Sequence, residues 1–98
     1  MRELVWLESA VDDVAKLRAF ITKENPDAAK RAAEAIKEAT QRLIDFPTIG
    51  KPVKDLSPYR DLLIRFGASG YVLRYRMYLE NIYIVHVRHY RELDFGIK

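Results

Sequence analysis

The stretch DLLIRFGASGYVLRYRMYLENIYIVHVRH, residues 61–89, decides the fold because its apolar residues recur with a period of two. Such alternation indicates β-strands whose two faces meet different surroundings. The predicted strands are residues 62–66, 71–78 and 82–89. Residues 82–89 are apolar on both faces for most of their length, which predicts a central strand. Glu80-Asn81 is predicted to form a tight hairpin turn, because Asn tolerates a positive φ.

Upstream of this stretch the apolar period changes to that of helices. The first stripe consists of Val11, Val14, Leu17 and Ile21. Ser9 and Asp12 resemble a capping box, so the first helix is predicted to start there and to run to about residue 23. Asn25-Pro26 is predicted to start a second helix, and Pro47 to stop it. The short connection makes the two helices an antiparallel hairpin.

An apolar run at the N-terminus, Leu4-Val5-Trp6-Leu7, predicts a further strand at about residues 2–7. Pro47-Thr48-Ile49-Gly50-Lys51-Pro52 is predicted to be a loop. The expected fold is therefore α+β: an N-terminal strand, an antiparallel two-helix hairpin and a three-stranded antiparallel meander, in a single domain of residues 1–98. The helices should cover one sheet face and bury Leu62, Ile64, Phe66, Leu73 and Tyr75. The other face, or the edge beside it, should carry Arg65, Arg74, Arg76 and Arg88.

Composition narrows the possible functions. The net charge is +3, but residues 1–50 carry −1 and residues 51–98 carry +4, which suggests a surface that attracts an acidic partner or nucleic acid. The chain has no Cys, which excludes disulfides, thiolate metal sites and Cys nucleophiles. With two His and no Cys, we expect no metal site and no cofactor. No apolar run is long enough to span a bilayer and no signal peptide is evident, so we expect a cytoplasmic protein without a membrane partner.

Five segments, in order, resemble the ParE/RelE toxin superfamily over nearly the whole chain. They are VWLESAVDDVAKLRAFI (residues 5–21), NPDAAKRAAEAI (25–36), LIDFPTIGKPV (43–53), GYVLRYRM (70–77) and IYIVHVRHYREL (82–93). The resemblance implies the RelE/ParE-like fold and a growth-arresting toxin of a type II toxin–antitoxin system, neutralised by a cognate antitoxin protein. RelE-like members cleave messenger RNA in the ribosome, whereas ParE-like members inhibit DNA gyrase and are not known to be nucleases.

The residues favour the ParE-like branch. Leu63 and Val72 stand where RelE-like toxins place basic residues, which weakens a nuclease reading, because phosphodiester cleavage needs clustered cations with an acid and a base. Partner binding is assigned to Arg65, Arg74, Arg76 and Arg88. If the chain is instead an endoribonuclease, the catalytic candidates are Arg65, Arg74, Arg88, His89 and Tyr90. The alternative to catalysis is that His86 is a packed, hydrogen-bonded side chain and that His89 is exposed without a role.

The leading hypothesis is thus a gyrase inhibitor that breaks no bond and is held by an antitoxin. The first alternative is a RelE-like endoribonuclease whose partners are the ribosome and messenger RNA. The second is an inactive relative that acts only as a binding module.

Overall fold

The computed structural model describes residues 2–66 and 69–89. Its elements are β1 (Leu4–Trp6), α1 (Glu8–Glu24), α2 (Pro26–Asp45), β2 (Lys51–Pro52), β3 (Arg60–Phe66), β4 (Ser69–Tyr78) and β5 (Asn81–His89). The predicted α+β class and the order of strand, two helices and three strands are confirmed. The short strand β2 is an addition, because it lies within the segment that was predicted to be a loop.

The five strands form one mixed sheet in the order β1-β5-β4-β3-β2. β1 runs parallel to β5, and the other neighbours are antiparallel. The prediction that residues 82–89 form a central strand is confirmed, since β5 lies between β1 and β4. β1 pairs with Ile82, Tyr83 and Ile84, and the remainder of β5 on that side has no strand neighbour among residues 2–66 and 69–89.

A β-bulge interrupts the pairing of β4 with β5. Arg74 pairs with His86, but the next residue, Tyr75, pairs with Ile84, so Val85 is the extra residue. A bulge of this kind exchanges the faces of every side chain beyond it. Strict alternation from Ile82 would place His86 and Arg88 on the helix side, whereas the bulge turns them to the opposite face.

The two helices cover one face of the sheet and enclose the core. Four of the five predicted core residues on the sheet, Leu62, Ile64, Leu73 and Tyr75, are buried, whereas Phe66 is only half-buried. The helices contribute Ala10, Ala32, Ile36, Ala39 and Leu43 to the same cluster. The small alanines let the α2 backbone approach its neighbours closely.

The start of α1 differs from the prediction. The N-cap is Leu7, which makes no side-chain capping bond, and Ser9 lies inside the helix. Instead of capping, the Ser9 hydroxyl donates a hydrogen bond to the Val85 carbonyl (2.7 Å). The predicted capping box of Ser9 and Asp12 was therefore wrong, because the Ser9 hydroxyl forms its hydrogen bond with the Val85 carbonyl on β5 and not with an amide at the start of the helix.

The start of α2 follows the prediction. The Asn25 side chain accepts a hydrogen bond from the Ala28 amide (3.1 Å), and Pro26 occupies the first helical turn. We expect Asn25→Ala to lower the free energy of unfolding by about 1 kcal/mol, because an N-cap oxygen satisfies a helical amide that is otherwise unpaired. Urea unfolding followed by circular dichroism measures this loss. Asn25→Ser keeps an oxygen at the cap and should stay close to wild type, and equal losses in the two variants would contradict the assignment.

The hairpin between β4 and β5 also differs from the prediction. The turn consists of Leu79 and Glu80, and Asn81 is already the first residue of β5. The residue with positive φ (57°) is Leu79, not Asn81. The Asn81 carboxamide oxygen instead accepts a hydrogen bond from the Glu3 amide (3.3 Å). Asn81 therefore ties the hairpin to the segment that leads into β1.

Tyr75 fixes the segment between α2 and β3. Its hydroxyl donates to the Pro47 carbonyl (2.8 Å) and accepts from the Gly50 amide (2.9 Å). Burial raises the pKa of the Tyr75 phenol, so the group remains a donor at neutral pH. A Cβ on Gly50 would lie 2.6 Å from two atoms of the Tyr75 side chain, so only glycine fits there. This contact holds the segment between α2 and β2 against the sheet.

Candidate functional site: the open face of the sheet

The sheet face opposite the helices, called the open face below, carries a basic row along β4 and β5. On β4 the row consists of Arg74 and Arg76, with the apolar Val72 in line with them. On β5 it consists of His86 and Arg88. The register places Arg74 beside His86 and Val72 beside Arg88. The expected position of Arg74, Arg76 and Arg88 away from the helices follows from this alternation.

A groove of about 820 Å³ runs across one end of the open face. The segment from β2 to Leu56 forms one wall of the groove, and β5 forms the other. The lining residues are Lys51, Pro52, Val53, Lys54, Leu56, Asp61, Val72, Arg74, His86 and Arg88. The lining thus combines charged side chains, most of them cationic, with apolar ones.

Arg74, at the centre of the groove, is already neutralised by its neighbour. Its Nε donates to Asp61 Oδ1 (2.8 Å) and its Nη2 to Asp61 Oδ2 (3.0 Å), a two-pronged ion pair across β3 and β4. The hydrogen bond to the carboxylate raises the pKa of the Arg74 guanidinium further. Such a paired guanidinium has little capacity left to bind a phosphate or to stabilise a developing negative charge.

His86 is held at the side of the groove by a residue of α1. Its Nδ1 lies 3.0 Å from Asp13 Oδ2, and the same oxygen accepts a hydrogen bond from the Val87 amide (3.1 Å). Ser9, one helical turn before Asp13, bonds the Val85 carbonyl. Two side chains of α1 therefore form hydrogen bonds with backbone groups of β5 beyond the residues that pair with β1.

Arg76 lies beyond the groove, further along β4, between two tyrosines. Its guanidinium carbon is 5.7 Å from the ring centre of Tyr59 and 5.5 Å from that of Tyr78, which are cation–π distances. Tyr83 packs edge-on against Tyr78 with ring centres 6.4 Å apart. Within residues 2–66 and 69–89, neither Arg76 nor Arg88 has an acidic or carbonyl partner, and the Nε of Arg76 is buried without a hydrogen bond.

A second cavity, of about 800 Å³, opens on the helix side near the end of β5. We call it the helix-side cavity; its lining is Asp13, Lys16, Leu17, Phe20, Ile21, Phe66, Tyr71, Val87, Arg88 and His89. Its interior is largely apolar, and Lys16 and Arg88 carry its positive charges. His89 belongs to this cavity, where its ring meets Tyr71 edge-on with centres 5.7 Å apart.

The structure thus separates the candidates that the sequence grouped together. Arg74 and Arg88 line the groove, Arg76 lies next to it, and His89 lies on the helix side. Arg65 lines a different hollow, beside α2 at the β3 edge, together with Leu63. Tyr90 lies outside the described residues. The four described candidates for RNA cleavage, Arg65, Arg74, Arg88 and His89, are therefore not gathered at one point.

Sequence reasoning missed two residues that line the groove and one that holds His86 beside it. Lys51 was placed in the predicted loop, and Lys54 and Asp13 were given no functional role. His86 was expected to be hydrogen-bonded, which is confirmed, but its side chain is 37% exposed rather than packed. A detectable signal was the spacing of Ser9 and Asp13, four residues apart and hence on one face of the helix.

Two findings on the described residues concern metal ions and membranes. No group of three or more His, Asp or Glu side chains in residues 2–66 and 69–89 is arranged to hold a metal ion. In the same residues, neither helix is long and apolar enough to cross a membrane.

The fold is shared with a solved structure. The chain is similar to a chain of the chromosomal ParDE toxin–antitoxin system from P. aeruginosa, with a TM-score of 0.75, 20% identity, and coverage of 91% of this chain and 96% of that one. At this identity the likeness shows the fold alone. A family model described as the ParE toxin of the type II toxin–antitoxin system parDE matches residues 4–93, so the chain belongs to that family.

Two relatives of the chain are from Caulobacter vibrioides. Toxin RelE3 is 35% identical over 77 residues, which cover 79% of this chain and 82% of the relative. Toxin RelE2 is 30% identical over 89 residues, covering 91% and 96%. The resemblance to the ParE/RelE superfamily is confirmed, and the chain is a toxin of the type II toxin–antitoxin class.

Proposed function

We propose that this toxin arrests growth by binding and inhibiting DNA gyrase and that it catalyses no reaction. The proposal rests on the two residues at the centre of the groove, neither of which has a positive charge to spare. Val72 supplies no charge, and Arg74 is committed to Asp61 through two hydrogen bonds. Neither of these two residues offers an uncommitted cation to a reacting phosphate at the groove centre, which favours a surface that holds a protein over one that cleaves RNA.

A cognate antitoxin is the second partner in the proposal. The family is one of toxins from type II systems, and the helix-side cavity has the features of a site for an amphipathic segment. Leu17, Phe20 and Ile21 offer an apolar lining, while Lys16 and Arg88 offer charge to acidic residues of the partner. Phe20 is 70% exposed, an exposure that a bound segment would reduce.

Cleavage of messenger RNA on the ribosome is the second candidate, and one observation favours it. The Asp13 carboxylate orients the His86 ring at the groove, with Arg88 also on the groove lining. A carboxylate–imidazole pair beside a cation is an arrangement that can move protons at a phosphodiester. Curated relatives bear the name RelE, but a name does not specify a mechanism for this chain.

Two assays on the purified toxin separate the candidates. We expect a graded loss of supercoiling by gyrase as toxin is added, and messenger RNA that stays intact in a ribosome-containing translation reaction. Added antitoxin should restore supercoiling. Unaffected gyrase at a large molar excess of toxin would overturn the proposal, and A-site cleavage of the messenger that His86→Ala abolishes would establish the alternative. Growth without antitoxin that proceeds normally would identify an inactive binding module.

A further inference from the structure

We propose that the open face is the surface that binds the target, and that it takes an extended acidic segment of gyrase anchored at Arg76 and Arg88. The inference rests on the proposed function and specifies the chemistry of the contact. It starts from a difference between the arginines of the open face. Arg74 forms an ion pair with Asp61, whereas Arg76 and Arg88 have no acidic partner among the described residues.

The surroundings of Arg76 prepare it for a carboxylate. Tyr59 and Tyr78 lie within 6 Å of its guanidinium carbon and restrict its movement. A guanidinium held in this way loses less conformational freedom when it forms a two-pronged bond with a carboxylate. No acid of residues 2–66 and 69–89 takes this position, and the proposal assigns it to an acid of the partner.

The spacing of the two arginines fits an extended chain. Arg88 pairs with the backbone position of Val72, four residues before Arg76 on β4. At about 3.3 Å per residue, the separation along the strand is roughly 13 Å. In an extended segment, side chains four positions apart point the same way and are separated by the same distance. Two acids at positions i and i+4 of the segment would therefore reach both arginines.

The surface between the arginines favours a peptide over a nucleic acid. Arg74 and Asp61 neutralise each other there, and Val53, Leu56 and Val72 add apolar surface. A phosphodiester chain is charged at each nucleotide and would place a phosphate over this neutral pair and apolar surface. A peptide can place apolar side chains against this surface and keep its acids for the two ends, so charge complementarity favours the acidic segment.

Charge reversal tests the inference in the supercoiling assay with purified gyrase. We expect Arg76→Glu and Arg88→Glu each to raise the toxin concentration for half-inhibition at least tenfold, equivalent to about 1.4 kcal/mol. Arg31→Glu changes the net charge equally on an exposed turn of α2 and should leave inhibition unchanged. Circular dichroism and thermal melting check that each variant folds, and Arg76→Ala provides a milder change if the reversal does not.

Two further readouts separate the possible outcomes. Arg76 does not line the helix-side cavity, so Arg76→Glu should keep its affinity for the antitoxin. Inhibition by both reversed variants at wild-type concentrations would overturn the inference and leave the proposed function intact, whereas a wild-type toxin without effect on gyrase would overturn both. A loss of antitoxin affinity in Arg76→Glu as large as its loss of inhibition would also overturn it, as would binding of a labelled single-stranded oligonucleotide that depends on Arg76.

Discussion

Tyr75→Ala should lower the free energy of unfolding by about 3–5 kcal/mol, the usual loss when a large buried aromatic side chain is truncated. Tyr75 is fully buried beneath the helices, and its hydroxyl joins Pro47 to Gly50. Truncation leaves a cavity and removes the partner of two backbone groups at once. A chain of this size has a total stability of about 5–15 kcal/mol, so a large share of it would be lost.

Tyr75→Phe separates the two contributions. The ring stays, but the Gly50 amide and the Pro47 carbonyl lose their partner, which should cost about 1–3 kcal/mol. Tyr78→Phe is the matched control, because the Tyr78 side chain is 54% exposed and should tolerate the loss of its hydroxyl. Urea unfolding gives both values. A Tyr75→Phe protein as stable as the control would show that the hydroxyl does not fix the segment before β2.

Local patterns in the sequence predicted most of the fold. The second helix was predicted with both of its ends, because Asn25 and Pro26 act through bonds and sterics within one turn, and Pro47 likewise limits the end. The three later strands were predicted from the alternation of apolar and polar residues, which arises because one sheet face packs against the helices. The positive φ of Leu79 could not be predicted, because nothing in a leucine side chain favours that conformation.

The candidate site was less predictable because it depends on contacts between distant parts of the chain. Ser9 and Asp13 bond Val85 and Val87, which lie 76 and 74 residues further along the chain. The bulge at Val85 then decides which face His86 takes, and a pattern of apolar residues does not locate such a bulge. From the sequence, His89 was the catalytic candidate and His86 was interpreted as a packed side chain, whereas the fold places His86 at the groove and His89 in the helix-side cavity.

Asp13→Ala should destabilise the protein by about 1.5–3 kcal/mol, because a largely buried carboxylate supplies the acceptor for the β5 edge. The Asp13 side chain is 17% exposed, and its Oδ2 contacts both the Val87 amide and His86 Nδ1. Without it, the amide at an edge that β1 does not cover loses its partner. Amide hydrogen exchange measured by NMR should show faster exchange at Val87, in addition to the lower stability in urea.

Asp13→Asn and Asp12→Ala are the matched variants for this prediction. Asparagine keeps a carbonyl oxygen for the Val87 amide and should recover part of the loss, whereas Asp12 is exposed on α1 and its removal should change little. If exchange at Val87 is equally slow in Asp13→Ala and Asp12→Ala, the carboxylate does not hold the edge. The position of His86 would then need another cause, because Asp13 is the contact that links its ring to α1.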